Sequence, residues 1–267
     1  MIRYDLARLA DRRKGTTQPL PAIHGSIGAE AAYLKALRSI LREMARETRE
    51  NIVPLAVAEI QANRAVTQDA DRTWFQKLLE LSIDLAISAE GMVGRILGLE
   101  AERHTKRFME TAKQALGIDL AAVVLREDLG DLLRDAALKN AQLIKGLADD
   151  TVKRVSLTVM NAVMNGTPAK DLRKELTRQF GISDRRARLI ARNEIASFNS
   201  DMNRLRHVQA GVTTYTWRTS ADERVRPLHR ELDGKVYEYG KPTGAEDGLP
   251  PGKPINCRCI AQGIVEF

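Results

Sequence analysis

The chain has very little cysteine: two in 267 residues, Cys257 and Cys259, separated by one position. So small a number excludes a disulfide framework, and neighbours this close strain the geometry of a mutual disulfide. The sulfurs are left as free thiols, metal ligands or small buried apolar groups. Aromatic residues are also scarce, at 4%. With hydrophobic residues at 43%, a core must be built mainly from Ala, Leu, Ile and Val, which favours helices packed through small side chains. No run approaches about eighteen apolar residues, so a transmembrane helix is not expected. The opening Met1-Ile2-Arg3-Tyr4-Asp5 lacks the apolar stretch of a secretory signal. The expectation is a soluble protein made in the cytoplasm. No internal repeat is present.

Charge is present but uneven. Residues 1–150 hold 22 basic and 22 acidic side chains, and residues 211–267 hold 8 of each. Residues 151–210 hold 12 basic against 5 acidic, so this block carries the whole net charge of +7. A localised basic block is the electrostatic footprint of a polyanion partner, or a solvated helix face.

Residues 1–25 read as an arm, with Arg12-Arg13-Lys14-Gly15 followed by Pro19, Pro21 and Gly25; such a segment is either disordered or docked on a neighbour. Ser26 is a candidate N-cap. Ile27, Ala31, Leu34, Leu37, Leu41, Met44 and Thr48 then recur at helical spacing. A second helical stretch covers 72–116, with Leu78, Leu81, Leu85, Val93, Ile96 and Leu97 on its apolar side. Gly91, Gly94 and Gly98 predict a break or a close crossing there, since glycine costs a helix about 1 kcal/mol relative to Ala. Residues 119–148 are helical again. Val152, Val155, Val159 and Val163 form a stripe that Gly166 ends. Thr167-Pro168 opens a short helix that Gly181 stops. Ser183 caps a long helix from Asp184 to about Gln209, ended by Gly211.

Beyond Gly211 the period changes. Residues 213–219, TTYTWRT, are β-branched and aromatic and predict a strand. Asp233-Gly234 is a turn, 235–239 is a second strand, and Ile260, Ile264 and Val265 lie in a last one. Residues 240–256 contain eight Gly or Pro in seventeen positions and form a loop.

The most informative segment runs from Arg186 to Cys259. It holds, in order, the helical RARLIARNE of residues 186–194, Asn199, Arg204, Gly211, the Trp217 strand, DERVRPLH at 222–229, LDG at 232–234, PPG at 250–252 and NCRC at 256–259. This ordered series resembles the phage Mu F-like family of minor head proteins, also called the head-morphogenesis family, over about residues 150–265. The resemblance implies a late structural protein of few copies at the portal or head interior. Portal, capsid or scaffold proteins and packaged DNA are its implied partners. The virion head is the implied location, with host cytoplasm during assembly. Some relatives carry a second cysteine or histidine near Arg226 and a histidine near Lys253, positions where this chain has arginine and lysine. Others fuse this domain to toxin or transferase domains; with eight residues after Cys259, no such domain is expected here.

The residues also have readings of their own. His229, Cys257 and Cys259 are the right ligand types for zinc, and Asp222 or Asp233 would complete a set of four. The simpler reading needs no cofactor: a stitching motif of Asp222, Arg224, Arg226, His229, Gly234, Asn256, Cys257, Arg258 and Cys259 ties the end of the chain to the 222–229 segment, with Asp222 pairing with Arg224 or Arg226. Arg192 and Glu194 are expected to pair with the strand region. Tyr215 and Trp217, two apart, share one strand face and are read as core in preference to a base-stacking platform. Arg185, Arg188 and Arg192 fall on one side of the long helix, extended by Arg204 and Arg206. These five are the candidate nucleic-acid contacts, tracking phosphates without reading sequence.

The expected fold is α+β: an N-terminal arm (1–25), an elongated helical region (26–150) and a head-morphogenesis domain (151–267) with helices followed by a short antiparallel sheet. The expected function is structural and not enzymatic. The alternatives are a metal-dependent nuclease, whose carboxylates and His base would surround a scissile phosphate, or a nucleic-acid-binding module using the basic helix and the Asp222/His229/Cys257/Cys259 cluster.

Overall fold

Ser26 opens the first long helix as its position predicts: its Oγ accepts the Ala29 amide at 3.2 Å, satisfying one of the orphan donors of the first turn. In the computed structural model, residues 4–10, 12–61, 73–124 and 129–267 are described; the readings at 1–3, at 72 and at 125–128 lie outside them. The helices are α1 (Leu6–Leu9), α2 (Ile27–Glu47), α3 (Val53–Gln61), α4 (Thr73–Leu116), α5 (Ala121–Val124), α6 (Gly130–Met164), α7 (Ala169–Gln209) and α8 (Pro227–Leu232). One wider π-type turn, Thr48–Ile52, joins α2 to α3. The strands are β1 (Thr17–Pro19), β2 (Thr214–Arg218), β3 (Val236–Glu238) and β4 (Ile260–Glu266). The fold is α+β. No helix among the described residues is long and apolar enough to cross a membrane.

Two predicted breaks are absent. α4 runs through Gly91, Gly94 and Gly98, and a Cβ at either Gly94 or Gly98 would meet nothing within 4 Å. No close crossing occurs at these glycines. The helix tolerates their propensity cost because Val93, Leu97 and Ala101 between and beside them are buried, and packing outweighs propensity. Likewise α7 passes through Gly181 without interruption. Ser183 does not cap it; its side chain is buried and its Oγ accepts from Thr151 Oγ1 at 3.0 Å. Gly166 and Gly211 do end helices, with φ of +63° and +77°, the left-handed conformation that favours glycine at a C-terminus.

The described chain groups into two compact units: Met1–Glu30, Ile96–Ala136 and Arg192–Phe267 form unit 1, and Ala31–Arg95 with Ala137–Ala191 form unit 2. The boundaries read at 25/26 and 150/151 are not the limits of these units, and residue 150 lies inside α6. In unit 2, Arg38 binds Asp184 at 2.6 and 3.1 Å, and Arg186 pairs with Asp150. Tyr33, Leu37, Met44 and Leu78 are buried there. Ile27, placed on the apolar stripe of α2, is 86% exposed; the buried side is carried instead by Tyr33, Ala36, Leu37, Ile40, Leu41 and Met44.

Unit 1 contains the sheet, ordered β1-β4-β2-β3 and antiparallel throughout. β4 lies between β1 and β2, pairing Val265 with Gln18 and Ala261 with Trp217. The segment read as an arm is therefore part of this unit. Tyr4 and Leu6 donate their amides to the carbonyls of Gln209 and Ala210 at 3.1 and 3.0 Å. Tyr4, Leu6, Leu20 and Ile23 join Phe108, Ala112, Val212 and Val265 in one core cluster. The side-chain amides of Asn199 and Asn203 donate to the Ile23 carbonyl at 3.0 and 3.2 Å. Its short, apolar residues supply the edge strand and core that a small sheet requires.

Candidate functional site

Trp217 on β2 is the centre of a second cluster in unit 1. It is fully buried with Leu232, Ala245, Cys257 and Cys259, and Tyr237 packs beside it. Tyr215, on the same face, is 1% exposed. Both aromatics are core, and neither offers a base-stacking surface. α8 explains how His229 reaches this cluster. Arg226 is extended, and Pro227 begins the helix with its φ already suited to the first turn. The third residue, His229, then lies edge-on to the Trp217 ring with centroids 5.3 Å apart.

His229 is held from both ring nitrogens. Nε2 lies 2.7 Å from Glu246 Oε2. Nδ1 lies 3.6 Å from Cys257 Sγ and 3.6 Å from Cys259 Sγ. The three ligand-type atoms all lie within 4.8 Å of one another, and all three residues are buried. The amides of Gly252 and Cys259 both donate to Cys257 Sγ at 3.4 Å. The Cys257 thiol is pulled down to about 6, first by the hydrogen bond with Cys259 and then by these two amides, against the opposing effect of burial. The Cys259 thiol is pushed up, by the same sulfur–sulfur hydrogen bond and by burial.

The ion pairs differ from those expected. Asp222 pairs with Arg258 at 2.6 Å and accepts the Arg224 backbone amide at 3.0 Å, so neither the Arg224 nor the Arg226 guanidinium is its partner. The Arg258 hydrogen bond holds the Asp222 carboxyl below its ordinary range. Arg226 instead binds Glu246 at 2.8 Å and donates to the Ile255 carbonyl. The exchange follows from topology: the 254–259 segment returns beside α8 and brings Arg258 against the Asp222 turn. Gly234, at φ +79°, makes the turn into β3, its amide donating to the Trp217 carbonyl at 2.9 Å. Asn256, also at positive φ (59°), lets the chain reverse before Cys257. Neither Asp222 nor Asp233 joins the His–Cys–Cys group among the described residues; Asp233 accepts the Thr219 amide at 2.8 Å. A cavity of about 240 Å³ borders the group, lined by Ser220, Arg224, Val225, Arg226, Asn256 and Arg258 together with the three ligand-type residues.

The Pro/Gly-rich loop is ordered against one face of α7. Asn193 Oδ1 accepts the Asn256 amide at 2.8 Å. Ser200 Oγ donates to the Pro251 carbonyl at 2.7 Å. Lys253 Nζ reaches Ser197 at 2.9 Å and Asp201 at 2.6 Å. Residues 193, 197, 200 and 201 recur at helical spacing, so one face of α7 supplies all four anchors. Gly252 is needed here, at φ +86°, because a Cβ would come within 3.1 Å of the Ala196 carbonyl oxygen.

The candidate nucleic-acid contacts divide. Arg185 and Arg204 are exposed. Arg188 is exposed but pairs with Asp184 at 2.9 Å. Arg192 lies 3.6 Å from Glu30 and so pairs at the start of α2, not with the strand region. Arg206 is 1% exposed, and its guanidinium donates to Thr105 Oγ1 at 2.5 Å. It is an interior residue of unit 1 and presents no charge to a ligand. Its helix position put it in line with the other cations, but the face it occupies is covered.

Nothing in the sequence marks Glu246 or Asp201, and Asn193 and Lys253 carry no sign there of the anchoring role the fold gives them. Glu246 sits in a loop with no periodicity to mark it, and its partners are 17 and 20 residues away.

The structure thus defines a helix-and-sheet module closed by a buried His–Cys–Cys knot, with its loop tied to a long helix. Residues 153–262 match the family model described as Phage Mu protein F like protein. Over these residues the chain is similar to phage Mu F-like proteins. An uncharacterized protein of Haemophilus influenzae (strain KW20 / Rd) is 32% identical over 179 residues, which is 67% of this chain and 39% of that protein. The chain therefore spans about 39% of the length of this relative. No solved structure matches.

Proposed function

We propose that this chain is a minor structural protein of a tailed-phage head, acting in head morphogenesis at the portal or head interior. Its partners are the portal protein, capsid or scaffold proteins and, without sequence preference, phage DNA. It assembles in the host cytoplasm and ends in the virion head. The observation that carries the reading is the family match over residues 153–262, which holds every charged side chain of the 151–210 block and the whole 222–259 stitching motif. The polar motif also favours a scaffold over an enzyme. Asp222, Arg226, Glu246 and Arg258 are engaged with one another or with the backbone.

The test is co-expression with the portal protein of the same phage, followed by sedimentation of assembled heads. The chain should sediment with heads and be captured by isolated portal. A nicking assay on plasmid DNA with Mg²⁺, Mn²⁺ or Zn²⁺ should show no turnover. Turnover that is lost on His229→Ala would overturn the structural reading in favour of the nuclease. DNA contact is read by fluorescence titration of a duplex at two salt concentrations, where counterion release makes affinity fall with salt. No binding at low salt would remove DNA from the partners.

A further inference from the structure

We propose that His229 Nδ1, Cys257 Sγ and Cys259 Sγ are the protein ligands of one thiophilic divalent cation, zinc in the first place, and that Glu246 is the residue that orients His229 toward it. This goes beyond the assembly role above and does not rest on it.

The spacing is that of a coordination shell. Zinc binds thiolate at about 2.3 Å and imidazole nitrogen at about 2.0–2.1 Å, so neighbouring ligands of a tetrahedral ion lie about 3.5 Å apart. Nδ1 lies 3.6 Å from each sulfur, and the three atoms fall within 4.8 Å of one another.

Hydrogen bonding among the three groups satisfies this arrangement only partly. With the Glu246 carboxylate at Nε2, the ring proton belongs on Nε2, and Nδ1 is left with one lone pair. One lone pair accepts from one thiol, yet two sulfurs stand at equal distance from it, although their hydrogen bond to each other would be met without either approaching the ring. A cation at the centre of the three atoms engages all of them. Two thiolates and a neutral imidazole also balance a double positive charge. That balance matters at a site where His229, Cys257 and Cys259 are 2%, 3% and 4% exposed, because buried charge must be compensated.

Two surrounding features are those of a metal site. The Gly252 and Cys259 amides aim at Cys257 Sγ, as donors do toward a thiolate ligand. Glu246 holds the far nitrogen of the ligating imidazole, the carboxylate–histidine arrangement that fixes tautomer and ring direction. The fourth position opens on the 240 Å³ cavity that borders the group, which has room for a water. The donor set of two sulfurs and one nitrogen selects zinc over magnesium, calcium or manganese. Sequence alone supplied three candidate ligands and suggested Asp222 or Asp233 as a fourth; the fold turns those carboxylates to other partners and supplies Glu246 behind His229 instead.

The test uses the full chain purified without chelator. Elemental analysis should find one zinc per chain, and dialysis against excess zinc should not raise it. The metal-free chain titrated with Co²⁺ should develop a thiolate-to-cobalt charge-transfer absorption that saturates at one equivalent. The Cys257→Ser/Cys259→Ser double variant should lose both signals. Glu246→Gln keeps both sulfurs and the ring, and should keep the cobalt absorption while weakening affinity about 10- to 100-fold. Wild-type chain that is folded by circular dichroism yet takes up neither zinc nor cobalt would overturn the proposal without recourse to any variant. So would a cobalt absorption unchanged in the double serine variant. Both results are independent of whether the chain sediments with heads.

Discussion

Gly263 of β4 lies flat against the His207 ring of α7: a Cβ placed on it would come within 2.9 Å of ring atoms Cε1 and Nε2. The ring has little room to yield, because Nδ1 is bound to the Tyr239 hydroxyl at 2.6 Å and Phe108 packs on it with centroids 6.1 Å apart. Sheet and helix of unit 1 are therefore in contact through a position that only glycine fits.

Gly263→Ala should destabilise the protein by about 1–3 kcal/mol, the usual cost of overpacking. Urea unfolding followed by circular dichroism reads the change as a lower midpoint at unchanged slope. A midpoint equal to wild type would show that the close approach is not maintained in solution.

Burial lowers the pKa of His207 to about 4 and that of His104 to about 3, the latter despite an opposing hydrogen bond with Asn203. Both rings are neutral in the folded protein at neutral pH, whereas the unfolded chain takes up protons below about 6.5. The unfolded state then binds more protons than the folded state, so stability falls as pH drops from about 6.5 toward about 4. Each histidine contributes a slope of up to about 1.4 kcal/mol per pH unit. Unfolding free energies measured across this window should show the decline, and His207→Gln should make it shallower. A flat profile in the wild type would contradict the buried neutral rings.

In unit 2, Asp184 is brought to about 2, from 3.8, chiefly by its hydrogen bond with Arg38, with Arg188 adding to it against the effect of burial. Its folded value lies below its unfolded one, so its contribution is complete above about pH 4 and is lost as pH falls through about 2. The carboxylate is 30% exposed, and after solvent screening the contribution is about 1 kcal/mol. Asp184→Asn should remove that part of the acid dependence, seen as a smaller loss of stability between about pH 4 and pH 2. Identical acid limbs in variant and wild type would rule out the pairing.

Arg204 and Arg206 are two residues apart and should behave in opposite ways. Arg206→Ala removes a buried side chain together with its bond to Thr105 and should cost about 2–3 kcal/mol of stability. Arg204→Ala alters an exposed cation and should leave stability within about 0.5 kcal/mol. If DNA is bound, Arg204→Ala should lower the salt slope of binding by about 1. Thermal unfolding and the duplex titration separate the two effects; an Arg206→Ala protein as stable as wild type would argue against its burial.

Much of the fold is legible in residue order because its signals are local. The N-cap at Ser26, the helix ends at Gly166 and Gly211, the turn at Gly234 and the strands of Tyr215 and Val265 all follow from the conformational preferences of a few adjacent residues. Gly181 and the glycines of α4 predict breaks that do not occur, because propensity is a small local cost; along α4 the buried Val93, Leu97 and Ala101 outweigh it. The strand at residues 17–19 was invisible for the opposite reason: three residues carry no pattern, and only β4 gives their backbone a partner.

The site divides along the same line. The sequence by itself determined which chemical groups exist near the C-terminus, a histidine, two thiols and a set of arginines and aspartates, and the ordered motif by which residues 153–262 are matched to their family. Tertiary structure alone decided their pairing. It set Arg258 and not Arg224 on Asp222, placed Glu246 behind His229, brought both sulfurs to one ring nitrogen and withdrew Arg206 into the interior. Partners like these depend on how far apart atoms lie in space, and the chain between them, 17 residues for Glu246 and His229, leaves that distance undetermined until it folds.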